Sequence, residues 1–86
     1  MTITATPIHN GHEYAGYGFT VRVTSDERFF TIRDSYGEPC GTITRPRVMG
    51  GNRNWESHMP TGAACTTTAV GPRSAFRSFL MAYRGI

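Results

Sequence analysis

The stretch Tyr17-Gly-Phe19-Thr-Val21-Arg-Val23-Thr24 places an apolar residue at every odd position and a small or polar one at every even position, through four periods. Side chains alternate across a pleated strand, so one face of this segment is apolar and the other is wet. Arg28 to Arg33 repeats the pattern, with Phe30 and Ile32 on the apolar side and Phe29, Thr31 and Arg33 on the other. Joining the apolar sets in an antiparallel hairpin matches Val21 with Phe30 and Phe19 with Ile32. That leaves Ser25-Asp26 as a two-residue turn, and a four-residue loop one register along fits nearly as well.

Asp34-Ser-Tyr-Gly-Glu-Pro39 is a dense turn signal: Asp bonds to its own following backbone, Gly37 supplies positive φ, and Pro39 can begin a ladder but not continue one. The return strand, Cys40 to Arg45, turns Ile43 to the core and Thr42 and Thr44 outward before Pro46 stops it, so the first three strands form a meander. Arg47 to Asn54 has no period and holds a glycine pair, which predicts a mobile loop. Trp55 to Met59 fits a fourth strand with Trp55 and Met59 inward, Trp55 serving as a core anchor under a helix. Pro60-Thr-Gly62 turns the chain, and Ala63 to Val70 reads equally as a fifth strand or an extended connector. Residues 2 to 8 fit a frayed edge strand ending at Pro7.

Gly71-Pro72 reads as N-cap and first helical position, because proline lacks the donor that a helix's first turn cannot use. The helix is predicted from about Pro72 to Arg84, ended by Gly85. At 100° per residue, Ala75, Phe76, Phe79, Leu80 and Tyr83 share one arc, with Arg73, Arg77 and Arg84 beside it. The expected architecture is therefore α+β in two layers: an antiparallel meander of three to five strands with one C-terminal helix on one face. At 86 residues the chain is one domain, and a single leucine makes its core thin.

All nine basic side chains are arginine against six acidic ones, a net charge of +3, which is modest for a dedicated nucleic-acid binder. The guanidinium matters because its planar fork grips phosphates and carboxylates bidentately and stacks on aromatic rings. The opening residues show no cationic start followed by an apolar run, and two cysteines are too few for a secreted disulfide framework, so the expectation is a soluble, cytoplasmic chain with Cys40 and Cys65 reduced. His9, His12, His58 and the cysteines lack metal-ligand spacing, and Gly50-Gly51 is followed by neither lysine nor helix. Neither cysteine sits where its pKa would fall, and Asp34 and Glu38 are explained by the turn. The residues thus predict no enzyme, no metal and no cofactor.

The candidate contact residues fall into three sets. The wet strand face holds Arg22, Phe29 and Arg33 among threonines; the loop holds Arg45, Arg47 and Arg53; the helix flank holds Arg73 and Arg77. The first set suits either a phosphate backbone or a protein partner, since arginine and aromatic residues anchor both kinds of interface.

The stretch from Arg28 to Arg45, two strands around the turn Asp34-Ser-Tyr-Gly-Glu-Pro39 with a helix later, resembles the three-stranded arm-type DNA-binding domains of tyrosine integrases, in which the sheet enters the major groove. No residue role is carried over, because this chain has no lysine and an extra segment before the helix. In kind, a short, arginine-only, thin-cored chain is similar to accessory proteins of phages and mobile elements, anti-CRISPR proteins among them, which act by occupying a host machine's binding site. The expectation is a small binding protein that docks on and blocks a protein or nucleoprotein complex with an acidic surface. Direct nucleic-acid binding through the wet face is the alternative, with no membrane role, and a homodimer would relieve the thin core.

Overall fold

The computed structural model describes residues 2–47, 50–51 and 53–85. Seven strands form one sheet: β1 (Thr4–Ile8), β2 (Gly11–Gly16), β3 (Phe19–Thr24), β4 (Phe29–Arg33), β5 (Pro39–Thr44), β6 (Trp55–His58) and β7 (Ala64–Ala69). A single helix follows, α1 (Pro72–Arg84). The sheet is an uninterrupted antiparallel meander whose spatial order is its sequence order, and the fold is α+β.

The expectation of three to five strands is corrected to seven. The N-terminal stretch supplies two of them, and Ala64–Ala69 resolves as strand rather than connector. β2 carries no strand signal in its sequence because Gly11, His12, Glu13 and Gly16 interrupt its alternation, leaving Tyr14 as its one buried side chain. Tyr17, read as the start of the first strand, instead joins Gly18 in the turn between β2 and β3; their φ values of 54° and 84° define a type I′ turn, whose twist matches the flanking strands.

β3 and β4 pair with Thr20 opposite Arg33, which sets Val21 against Ile32 and Val23 against Phe30. The connection is therefore the four-residue loop Ser25–Arg28, and the tighter two-residue turn does not form. Arg45 supplies a reason: its side chain donates to the carbonyls of Thr24 and Glu27, and its backbone N–H donates to Arg28 O at 2.8 Å, filling the longer loop. Between β4 and β5, Ile32 faces Gly41 while Arg33 faces Pro39, so Cys40 is an extra, bulged residue. A Cβ at Gly41 would lie 2.5 Å from Phe79 Cε1 and 2.6 Å from His58 O, so only glycine lets α1 settle on this part of the sheet.

Gly71 caps α1, Pro72 begins it, and left-handed Gly85 ends it by donating to Met81 O at 2.9 Å. Its buried side is Ala75, Phe76, Phe79 and Leu80, and the two phenyl rings and the leucine each stabilise by about 1.5–3 kcal/mol on removal from water. Tyr83 extends the stripe, stacked on Phe79 at 5.2 Å and edge-on to Phe19 at 5.3 Å. The helix lies against β5, β6 and β7 and reaches across to β2, so the sheet curls around it in the direction of its natural twist. Val21, Val23, Phe30, Ile32 and Ile43 meet the helix in one core. Trp55 packs half-buried at the rim of that core with its ring over Phe30, and Met59 joins it there. The expected loop at Arg47 to Asn54 falls partly on Val48, Met49 and Asn52, which lie outside the described residues; those described there form neither helix nor strand.

Candidate binding face

Opposed residues in an antiparallel ladder point to the same side, so the pairing of Thr20 with Arg33 settles the outward face. Arg22 lies two residues from Thr20 and shares its side, which puts Arg22 and Arg33 on one surface. Thr42 stands opposite Thr31, and Thr44 opposite Phe29. Phe29 is 70% exposed at the middle strand of seven, an unusual cost for a phenyl ring.

Phe29 borders two shallow depressions. One, of about 350 Å³, is lined by Glu13, Arg22, Thr31 and Arg33 among others; the second, of about 400 Å³, by Arg28, Thr44, Arg47 and Glu56. Five arginines, Arg45 among them, and interleaved carboxylates thus line the two depressions that the ring borders. Arg22 approaches Glu13 at 3.9 Å, an exposed pair that contributes about 0–1 kcal/mol and leaves the guanidinium available. Arg33 donates to Gly37 O at 2.9 Å, which orients it along the β4–β5 hairpin. That hairpin is tied by Asp34, whose carboxylate accepts from Tyr36 N at 2.9 Å and Glu38 N at 3.0 Å, the local capping its composition predicts.

The remaining sequence candidates scatter. Arg47 belongs to the second depression and Arg53 is exposed in the same loop. Arg73 and Arg77 sit on α1, behind the sheet from Phe29, with Arg73 donating to Ile3 O at 2.6 Å. Arg45 has an internal role: besides its two carbonyl partners, its guanidinium lies 5.0 Å from the Trp55 ring centre and 5.5 Å from that of Phe30. Arg28, outside the three sets of candidates, lines the second depression beside its neighbour Phe29 and donates to Arg45 O at 3.3 Å. Its only signal was adjacency to an outward aromatic residue.

Arg45→Ala is expected to cost about 1–3 kcal/mol, combining two charge-assisted hydrogen bonds with stacking on two rings. Urea unfolding followed by the fluorescence of Trp55 measures it directly, and an unchanged midpoint would show the contacts to be idle.

Both thiols are free. Burial pushes the Cys40 thiol up, helped by the Asp34 carboxylate, and burial likewise raises Cys65. Both shifts move away from the thiolate needed for nucleophilic or metal chemistry, and Cys40 instead donates to Glu38 O at 3.3 Å. Among the described residues no helix is long and apolar enough to cross a membrane. Compared with known proteins, the chain matches no family model, no curated protein and no solved structure.

Proposed function

We propose that this chain is a small, non-enzymatic binding protein that docks on a protein or nucleoprotein complex through its outer sheet face, blocking a site there in the manner of phage or mobile-element inhibitors. The observation that carries the reading is Phe29, exposed at the centre of the sheet and ringed by Arg22, Arg28, Arg33 and Arg47. An exposed aromatic residue beside arginines, which a partner would cover and desolvate, is the common make-up of an interface hot spot. The mixed rim, with Glu13, Glu27 and Glu56 between the guanidiniums, suits a partner whose carboxylates are interspersed with donors better than a uniform phosphate backbone. Direct nucleic-acid binding over the same face is the alternative, supported by Arg22 and Arg33 lying on one side of the sheet together with the exposed Phe29.

The two readings separate in one titration of the protein with labelled single- and double-stranded DNA and RNA across a salt series. The docking reading expects no micromolar binding to any of the four. Binding whose logarithm falls with log salt, at roughly −0.9 per phosphate contact on duplex DNA, supports the alternative and overturns docking. Under docking, host partners captured by the wild-type chain are expected to be lost with Phe29→Ala, at a cost of about 2 kcal/mol or more, while circular dichroism stays unchanged because the ring supports no packing.

A further inference from the structure

A groove of about 330 Å³ opens on the helix side of the molecule, away from Phe29. One wall is the N-terminal segment at Ile3; the other is the junction of β7 with α1, at Val70 and Pro72. Arg73 spans the two walls by donating to Ile3 O at 2.6 Å, so the groove is held open at a set width. Its surface is mainly apolar, and Val70, at its lip, is 90% exposed. Among the described residues no carboxylate lines it, whereas Arg73 and Arg77 both do. On the outer face Glu13 and Glu27 offset Arg22 and Arg33, whereas here, among the described residues, two cations stand without a carboxylate beside an exposed aliphatic side chain.

From this pairing of an apolar floor with unbalanced guanidiniums, we infer that the groove between Ile3 and the start of α1 is a second docking site, and that it takes an acidic protein segment carrying an aliphatic anchor. The anchor covers Val70 and Pro72, removing apolar surface from water, while carboxylates on either side reach Arg77 and the outward face of Arg73. Basic or uncharged segments gain only the apolar part, so charge selects the occupant. The site stands apart from the Phe29 face, on the opposite layer, and neither depends on the other.

The test uses the full chain, labelled with ¹⁵N, and the peptide acetyl-Glu-Glu-Leu-Glu-Glu-amide as probe. Saturable shifts of the Ile3, Val70, Gly71 and Arg73–Arg77 amides are expected, weakening as salt is raised. A glutamine version of the probe and a version with serine in place of leucine should each bind more weakly. Val70→Ser is expected to weaken the glutamate probe by roughly tenfold, the effect of one aliphatic contact, and Arg77→Gln by roughly twofold to fivefold, as for one exposed charge pair. Both positions are exposed, so the fold is retained and dispersion of the spectrum checks it. Phe29→Ala should leave this binding untouched, which separates it from the outer-face reading. Absence of saturable shifts, equal binding of the glutamine probe, or shifts confined to β3 and β4 would each overturn the assignment.

Discussion

Phe79→Ala is expected to lower the free energy of unfolding by about 3–5 kcal/mol, a large part of the total for an 86-residue chain at about 0.05–0.15 kcal/mol per residue. Phe79 is fully buried. It meets Phe19 edge-on at 5.7 Å, stacks with Tyr83 at 5.2 Å, and lies over Gly41, where the sheet has no side chain of its own. Truncation leaves a void bounded by β3, β5 and α1. Those walls cannot collapse, because the strands are fixed in their ladder and the helix is pinned by Phe76 and Leu80 beside it. Urea unfolding followed by circular dichroism reads the loss, and thermal midpoints should fall by well over 10 °C at about 4–8 °C per kcal/mol for a domain of this size. A loss below about 1 kcal/mol would mean that the ring is not seated between helix and sheet.

Gly11→Ala is expected to cost about 2–3 kcal/mol, although Gly11 lies near one edge of the sheet and alanine adds a single methyl group. An ideal Cβ at Gly11 would stand 1.9 Å from Val23 O, 2.9 Å from Val23 C and 3.0 Å from Thr24 Cα. All three are backbone atoms, so no rotamer change clears the space. Relief requires breaking the pairing of Gly11 with Thr24 and displacing the turn in which Ser25 N donates to Asn10 O at 2.8 Å. Gly18→Ala provides the contrast: a Cβ there meets nothing within 4 Å, and only its φ of 84° is unfavourable, at about 1 kcal/mol. If the two variants lose equal stability in urea, the close approach of β2 to β3 at Gly11 is wrong. Hydrogen exchange localises the effect, since Gly11→Ala should release the amides of β1 and β2 first.

Several features were legible from residues alone because each depends on its near neighbours. The inward placement of Phe30, Ile32 and Ile43 follows from a period of two, and the span of α1 from Gly71-Pro72 at one end and Gly85 at the other. Asp34 capping its own turn belongs to the same group. The hairpin of β1 and β2 was harder to read, because its strands are thinly buried and their glycines erase the alternation. The bulge at Cys40 left no local trace, since its cause is the fit of Gly41 beneath Phe79, a residue 38 positions later in the numbering.

The arginines show the division most plainly. Alternation along β3 and β4 was enough to put Arg22, Phe29 and Arg33 on the wet side, because side-chain direction in a strand is a property of the strand itself. Which guanidiniums remain available is decided by contacts between distant segments: the carbonyls of Thr24 and Glu27 take up Arg45, the Arg45 carbonyl accepts from Arg28, and the packing of Ile3 against the start of α1 leaves Arg73 and Arg77 lining a groove behind the sheet. A charge has no fixed role until the chain that surrounds it is in place, so composition and spacing determined the layers of this protein, and tertiary packing alone assigned its cations.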